Sequence, residues 1–167
     1  KRVQEALRIM EELAKATNLD PHKFKQARFA LYELEQTLLS RLLRQDKTRH
    51  LPGLYVIVDT QSLKGQSHLE VTTQAIQGGA TVIQLRDKLL SKKELLPITS
   101  QLRNLCAEHN VLFVINDYLD LFLATDADGL HLGQDDIPPK ETRKLLAMDK
   151  ILGCSTRTVA QAIAAEA

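Results

Sequence analysis

Short apolar runs that end abruptly in polar or charged side chains recur from about residue 54 onward, and this recurrence limits the fold more than any other feature. Phe113-Val114-Ile115 ends in Asn116-Asp117, and fourteen residues after Asp117 the run around His131-Leu132 ends in Gly133-Gln134-Asp135-Asp136. Upstream, Val82-Ile83-Gln84-Leu85-Arg86-Asp87-Lys88 has the same texture. A parallel strand buried on both faces reads as a near-continuous apolar run, and its polar C-terminal end is where it opens into a site. Alternation at period two places Gln84, Arg86 and Lys88 on one face of their strand and Ile83 and Leu85 on the other.

Helix signals separate the runs. After Leu51-Pro52-Gly53, the expected strands are Leu54–Asp59, Thr81–Arg86, Val111–Asn116, Leu130–Gly133 and Ile151–Ser155. Ser67 with Glu70 and Ser91 with Glu94 have capping-box spacing, and Gly78-Gly79 and Asn110 are stop signals. Pro97 removes an N–H early in the second of these helices and should kink it. Further helices are expected over Tyr118–Ala124, from Pro138-Pro139 and from Thr158. Five β/α units of about 20 to 25 residues suit either a (β/α)8 barrel cut short or a doubly wound sheet. No GxGxxG or GxxxxGK[ST] occurs, which disfavours the nucleotide-binding versions of the second. The expected fold class is α/β: a (β/α)8 TIM-type barrel over residues 51–167, truncated to about five units.

The first 50 residues have a different texture and are expected to form an all-α hairpin. Val3, Leu7, Met10, Leu13 and Ala14 recur at helical spacing, and Asn18-Leu19 closes that segment. Asp20-Pro21 then opens a second helix with Phe24, Ala27, Leu31, Leu34, Leu38 and Leu42 on one face, and Gln45–His50 reads as a linker. The leucines leave a homo-oligomeric coiled coil open, although an intramolecular hairpin is the expected use of so few heptads.

Charge and cysteine content narrow the function classes. Residues 1–50 carry eleven Lys and Arg against seven Asp and Glu, and residues 51–167 eleven against fourteen. The basic residues are interleaved with acids, so no nucleic-acid partner is expected. No membrane span or signal peptide is expected, and the reading is a cytoplasmic protein. Cys106 and Cys154 lack metal or disulfide spacing. The chain starts at Lys1 without methionine and stops within an alanine-rich helical pattern at Ala167, as a piece of a longer protein would.

At the C-terminal ends of barrel strands, Asp59, Arg86, Lys88, Asn116, Asp117, Asp136 and Ser155 should gather. Inward cations without counter-charges are costly, so Arg86 and Lys88 point to a polyanionic ligand, with a metal on Asp117 and Asp136 opposite. Each residue also has a plainer use: Asn116-Asp117 as a turn, Asp135-Asp136 as a solvated loop, His131 as a hydrogen-bonded structural residue, Ser155 as a helix cap.

Gln84-Leu85-Arg86-Asp87-Lys88, Ile115-Asn116-Asp117, Gly129 through Asp136, and Gly153-Cys154-Ser155, in this order and spacing, resemble thiamine-phosphate synthase over residues 54–167. The hairpin resembles the helical extension of long members. The resemblance implies a barrel transferase that joins hydroxymethylpyrimidine diphosphate to a thiazole phosphate, with Mg2+, and releases diphosphate. It implies that Gln84, Leu85, Arg86, Asp87, Lys88 and Asn116 bind the pyrimidine diphosphate, that Ser155 touches the pyrimidine substrate, and that Asp117 and Asp136 hold Mg2+. Arg86 and Lys88 would carry the catalytic role of stabilising the departing diphosphate. The alternatives are a thiazole tautomerase, against which Gln134-Asp135-Asp136 argues, and a non-catalytic helical association module beside an inert half barrel. The family's last three units, with their thiazole-phosphate loops, lie outside the sequence, so binding without turnover is expected.

Overall fold

The computed structural model describes residues 2–17 and 19–166, so the stop signal at Asn18 and both end residues, Lys1 and Ala167, lie outside the described residues. The chain divides into two compact units, Lys1–Leu43 and Arg44–Ala167.

In the first unit, α1 (Arg2–Lys15) is followed by the start of α2 (Pro21–Thr48). Asp20 opens α2 by accepting from the backbone N–H of His22 at 2.9 Å. The face that α1 buries is Gln4, Glu11 and Ala14, with Leu7 half-buried. This corrects the expected apolar stripe: Val3, Met10 and Leu13 are exposed. The reason is polar pairing across the hairpin, where Arg28 donates from Nε and Nη2 to Glu11 at 3.2 and 3.1 Å and the Gln4 amide donates to Glu35. The same correction holds for α2, which has no fully buried residue and leaves Leu34, Leu38 and Leu42 exposed. The proposed linker is also helical as far as Thr48.

The second unit is a five-stranded parallel sheet in chain order, β1 (Leu54–Asp59), β2 (Ala80–Arg86), β3 (Leu112–Asn116), β4 (Gly129–Leu132) and β5 (Ile151–Cys154). Strict chain order is the wall of a (β/α) barrel; a doubly wound sheet would reverse direction from its first strand. The crossovers carry α3 (His68–Gln77), α4 (Lys92–Glu108), α5 (Leu119–Thr125) and α6 (Pro139–Leu145), and α7 (Val159–Glu166) follows β5.

Local chemistry sets these boundaries. Both capping boxes close: Ser67 N–H donates to Glu70 at 2.7 Å and Ser91 N–H to Glu94 at 2.9 Å, and each serine hydroxyl accepts in return. Gly79 has a φ of +91°, a conformation that costs glycine nothing and frees the chain to turn into β2. Pro97 lies inside α4 and can donate no backbone bond to the preceding turn.

Two apolar layers sandwich the sheet. Ile83, Leu85, Phe113, Ile115 and Leu130 pack outward on Leu95, Leu102 and Cys106 of α4 and on Leu121 and Phe122 of α5. Val82, Leu112 and Val114 form the smaller inner layer with Leu51 and Ile151. Burying each large aliphatic side chain is worth about 1.5–3 kcal/mol. Leu102 is fully buried in the outer layer, whereas Leu123 on α5 is exposed. Leu102→Ala should therefore cost about 2–5 kcal/mol, and Leu123→Ala less than about 0.5 kcal/mol, as read by the urea midpoint of unfolding.

Candidate functional site

The site lies at the C-terminal ends of β2, β3 and β4, and its floor is a line of polar side chains on the inner face of the sheet. Tyr55 Oη donates to Gln84 Oε1 at 2.7 Å, and Gln84 Nε2 donates to Asn116 Oδ1 at 3.0 Å. Gln84 is 3% exposed, so its amide has been taken out of water, and these two bonds offset the cost. Burial pushes the Tyr55 phenol up to about 12, which keeps it a neutral donor.

Above the floor, two cations stand beside two carboxylates. Arg86 pairs with Asp59, and Lys88 with Asp117. The premise that these cations lack counter-charges is therefore corrected: each has a protein carboxylate, because parallel register sets Asp59 directly opposite Arg86. Hydrogen bonding to Asp117 raises the Lys88 pKa against the opposing effect of burial, and the charges of Asp117 and Asp136 reinforce it. Asp117 has a φ of +64°, and its N–H donates to the His131 carbonyl at 2.8 Å, which holds the turn after β3 against β4. Asp136 folds back to accept from the Gly133 N–H at 2.6 Å.

His131 lies between these carboxylates and β5. Its Nε2 shares a hydrogen bond of 2.8 Å with the Ser155 hydroxyl. Burial lowers its pKa while Asp117 and Asp136 pull the other way, so both acids act on one imidazole and on the Lys88 ammonium. Gly153 makes room for the ring, since a Cβ there would sit 2.8 Å from His131 Nδ1. Gln134 donates to the Ser155 carbonyl. Ser155 is thus a partner of His131 and not the cap of α7, where the Thr158 hydroxyl accepts from the Gln161 N–H at 3.2 Å.

Gln84, Arg86, Lys88, Asn116, Asp117, Asp136 and Ser155 accordingly fall on one mouth of the sheet. The side chains of Leu85 and Asp87, both expected among the substrate-binding residues, are buried away from that mouth. Leu85 is 3% exposed in the outer core. Asp87 is 2% exposed and accepts from Leu89 N–H at 2.8 Å, Leu90 N–H at 2.7 Å and the Thr60 hydroxyl, which also meets His68 Nε2 at 2.8 Å. This is the outcome of strand alternation, which sets residues 85 and 87 on the face opposite 84, 86 and 88. Tyr55 and the pairing of Asp59 with Arg86 depend on register between strands, which the sequence alone does not show, whereas Gln134 lies in the turn after β4. His131 is hydrogen-bonded as expected, and it faces the site.

Among the described residues no three His, Cys, Asp or Glu side chains are grouped as a metal cage. Asp117 and Asp136 both bear on the Lys88 ammonium and the His131 imidazole, Asp117 paired with Lys88 and Asp136 accepting from the Gly133 N–H. Mg2+ takes one or two carboxylates and completes its octahedron with phosphate oxygens and water, so these residues fit it.

A family model described as thiamine monophosphate synthase matches residues 54–167. The chain belongs to the thiamine monophosphate synthase family. A second model, described as the ThiD2 family, matches residues 1–37. Thiamine-phosphate synthase of Prochlorococcus marinus strain MIT 9313 is 38% identical over 172 residues, spanning 99% of this chain and 48% of that protein. The enzyme of the same name from Shouchella clausii is 47% identical over 113 residues, 68% of this chain and 54% of its own. The solved thiamine phosphate pyrophosphorylase from Pyrococcus furiosus superposes with a TM-score of 0.61 at 38% identity, over 68% of this chain and 54% of that one. The chain spans about half the length of the curated relatives it matches. Among the described residues of this thiamine monophosphate synthase family member, no helix is long and apolar enough to cross a membrane.

The network beneath the site sets a pH dependence. Burial alone would raise the Asp87 pKa, but the bonds from Thr60, Leu90 and Leu89, with His68 nearby, more than offset it and hold the carboxyl below its usual range. Burial lowers the His68 pKa below its usual 6.5 despite Asp87. Both folded values lie below their unfolded ones, so the unfolded chain takes up protons first as pH falls and is favoured by them. The urea midpoint should fall from pH 7 through the window below 6.5 as His68 titrates, and again below 3.8 as Asp87 does. His68→Gln should flatten the first segment in part; a midpoint that rises on acidification would contradict this assignment.

Proposed function

We propose that residues 51–167 carry the pyrimidine-diphosphate half of a thiamine-phosphate synthase site, with residues 1–50 as a helical extension. The observation that carries this reading is the placement of Arg86, Lys88, Asp117 and Asp136 at one sheet mouth above the Gln84–Asn116 amide pair. The reaction would break the bond between the pyrimidine methylene carbon and the diphosphate oxygen and form a bond from the thiazole nitrogen to that carbon. No protein nucleophile is needed.

Each residue's part follows from its position. Gln84 and Asn116 would orient the ligand by their fixed amides, and the Arg86 guanidinium and Lys88 ammonium would bind the diphosphate and stabilise the charge that grows on it as the carbon–oxygen bond lengthens. Ser155, held by His131, would meet the pyrimidine edge. Asp117 and Asp136 would hold Mg2+, which when bound neutralises phosphate charge. The substrates implied are small molecules, and the location implied is the cytoplasm.

Calorimetry with hydroxymethylpyrimidine diphosphate and Mg2+ tests the assignment. Arg86→Ala should weaken binding by roughly 1.5–3 kcal/mol, the loss of a charge-assisted contact. Asp117→Asn and Asp136→Asn should each remove the Mg2+ dependence of binding while leaving the urea midpoint nearly unchanged. Unaltered affinity in Arg86→Ala would assign that residue to its Asp59 pair alone.

A further inference from the structure

Two polar residues below the mouth have no part in the site so far. Thr60 opens the short 3-10 turn Thr60–Ser62 that follows β1, and His68 is the first residue of α3. The Thr60 hydroxyl stands between two groups, the Asp87 carboxylate and His68 Nε2, the latter at 2.8 Å. A hydroxyl has one proton and a carboxylate only accepts, so that proton goes to Asp87 and His68 Nε2 donates to Thr60. Asp87 and His68 are both buried. A nucleophile activated by a histidine and an acid has the histidine in the middle, whereas here the threonine is in the middle. What the chain of bonds does is hold Asp87.

Asp87 in turn holds Lys88. Its Oδ1 accepts from the Leu89 and Leu90 N–H groups at 2.8 and 2.7 Å, closing a turn around Lys88, and its Oδ2 is the atom that Thr60 fixes. On the other side of the same strand ends Asp59, which precedes Thr60, pairs with Arg86, which precedes Asp87. Residues 59–60 and 86–87 are therefore joined twice, once at the mouth and once away from it. An anion arriving at the mouth competes for the carboxylate partners of Arg86 and Lys88, but the buried bonds of Asp87 lie out of its reach. The backbone that carries Lys88 thus keeps its course when the ammonium changes partner. Building on the diphosphate site proposed above, we propose that Thr60 and His68 are positioning residues for Lys88, holding Asp87 and through it the turn that presents the ammonium to the anion.

Calorimetry on residues 1–167 with inorganic diphosphate, and then with hydroxymethylpyrimidine diphosphate and Mg2+, tests the assignment. Thr60→Val removes the hydroxyl at nearly constant shape and should weaken binding of both about fivefold or more, while Thr60→Ser, which keeps the hydroxyl, should restore it. A double-mutant cycle separates positioning from general destabilisation. In a Lys88→Ala background Thr60→Val should change affinity less than about twofold, whereas in an Arg86→Ala background its effect should persist. If Thr60→Val does not fold, His68→Leu takes its place in the cycle, with His68→Gln, which keeps a donor for Thr60, as the rescue. An undiminished effect in the Lys88→Ala background would overturn the proposal, as would unchanged affinity in Thr60→Val. Inorganic diphosphate bound with the expected pattern, and the pyrimidine compound no more tightly, would remove the pyrimidine reading and leave the positioning role standing. Binding of neither by the unaltered chain would overturn both.

Discussion

A strand buried on both faces must divide its side chains between two environments, and β2 does so in a way on which the rest of the barrel unit depends. Ile83 and Leu85 point into the outer layer against α4, while Val82 belongs to the inner layer and Gln84 follows it on that face. A buried amide among aliphatic side chains is tolerable only when its groups are bonded, and Tyr55 from β1 and Asn116 from β3 supply the partners. The same contact therefore satisfies Gln84 and ties three adjacent strands together immediately below the charged mouth. One step further along, alternation delivers Arg86 to the mouth, and the chain leaves the sheet through Asp87. That side chain is anchored away from the mouth by Leu89, Leu90 and Thr60, and Lys88 is thereby presented to it.

The ion pairs at the mouth differ from surface ion pairs in how their members are placed. Asp117 is 10% exposed and Lys88 43%; Asp59 is 19% exposed and Arg86 36%. In both pairs the acid is the embedded partner and the base is the accessible one. A carboxylate fixed by backbone geometry, as Asp117 is by its left-handed turn, costs little further entropy to hold a flexible lysine. The consequence is a pair of cations positioned in advance, their heads still reachable from solvent. An incoming anion would find them already oriented, which is where preorganised electrostatics gain over mobile surface charge.

Much of this could be read from the sequence, and the divide is physical. The strand runs, both capping boxes and the glycine stop before β2 are local: a few neighbouring residues decide them, and the structure has them nearly where expected. The strand-end residues were legible as a set because parallel strands in chain order bring their C-terminal ends to one side. Alternation already sets Leu85 apart from Gln84, Arg86 and Lys88, and it extends to Asp87. Register between strands was not legible, and so neither were the Arg86–Asp59 pair and the Tyr55–Gln84 bond. In the helical unit the error has a different source. Counting apolar residues selected Val3, Met10 and Leu13, yet the buried face is organised by Glu11 with Arg28 and Gln4 with Glu35. Hydrophobic periodicity has no term for a helix pair joined by polar contacts.

Two kinds of apolar surface remain open to solvent, and they follow different physics. On β1 the inner-face residues Tyr55 and Ile57 are 39% and 54% exposed, whereas every residue of β3 is buried, as expected for the outermost and the central strand of a five-stranded sheet. An outer strand attracts partners through its backbone N–H and C=O groups, which every chain possesses, so its choice of partner is weakly specified by sequence. A leucine ridge on a helix has no free backbone groups, and whatever covers it must match its side-chain spacing and the charges at its flanks. Association through a sheet edge is therefore weakly selective, while a helix ridge selects by shape and side-chain spacing.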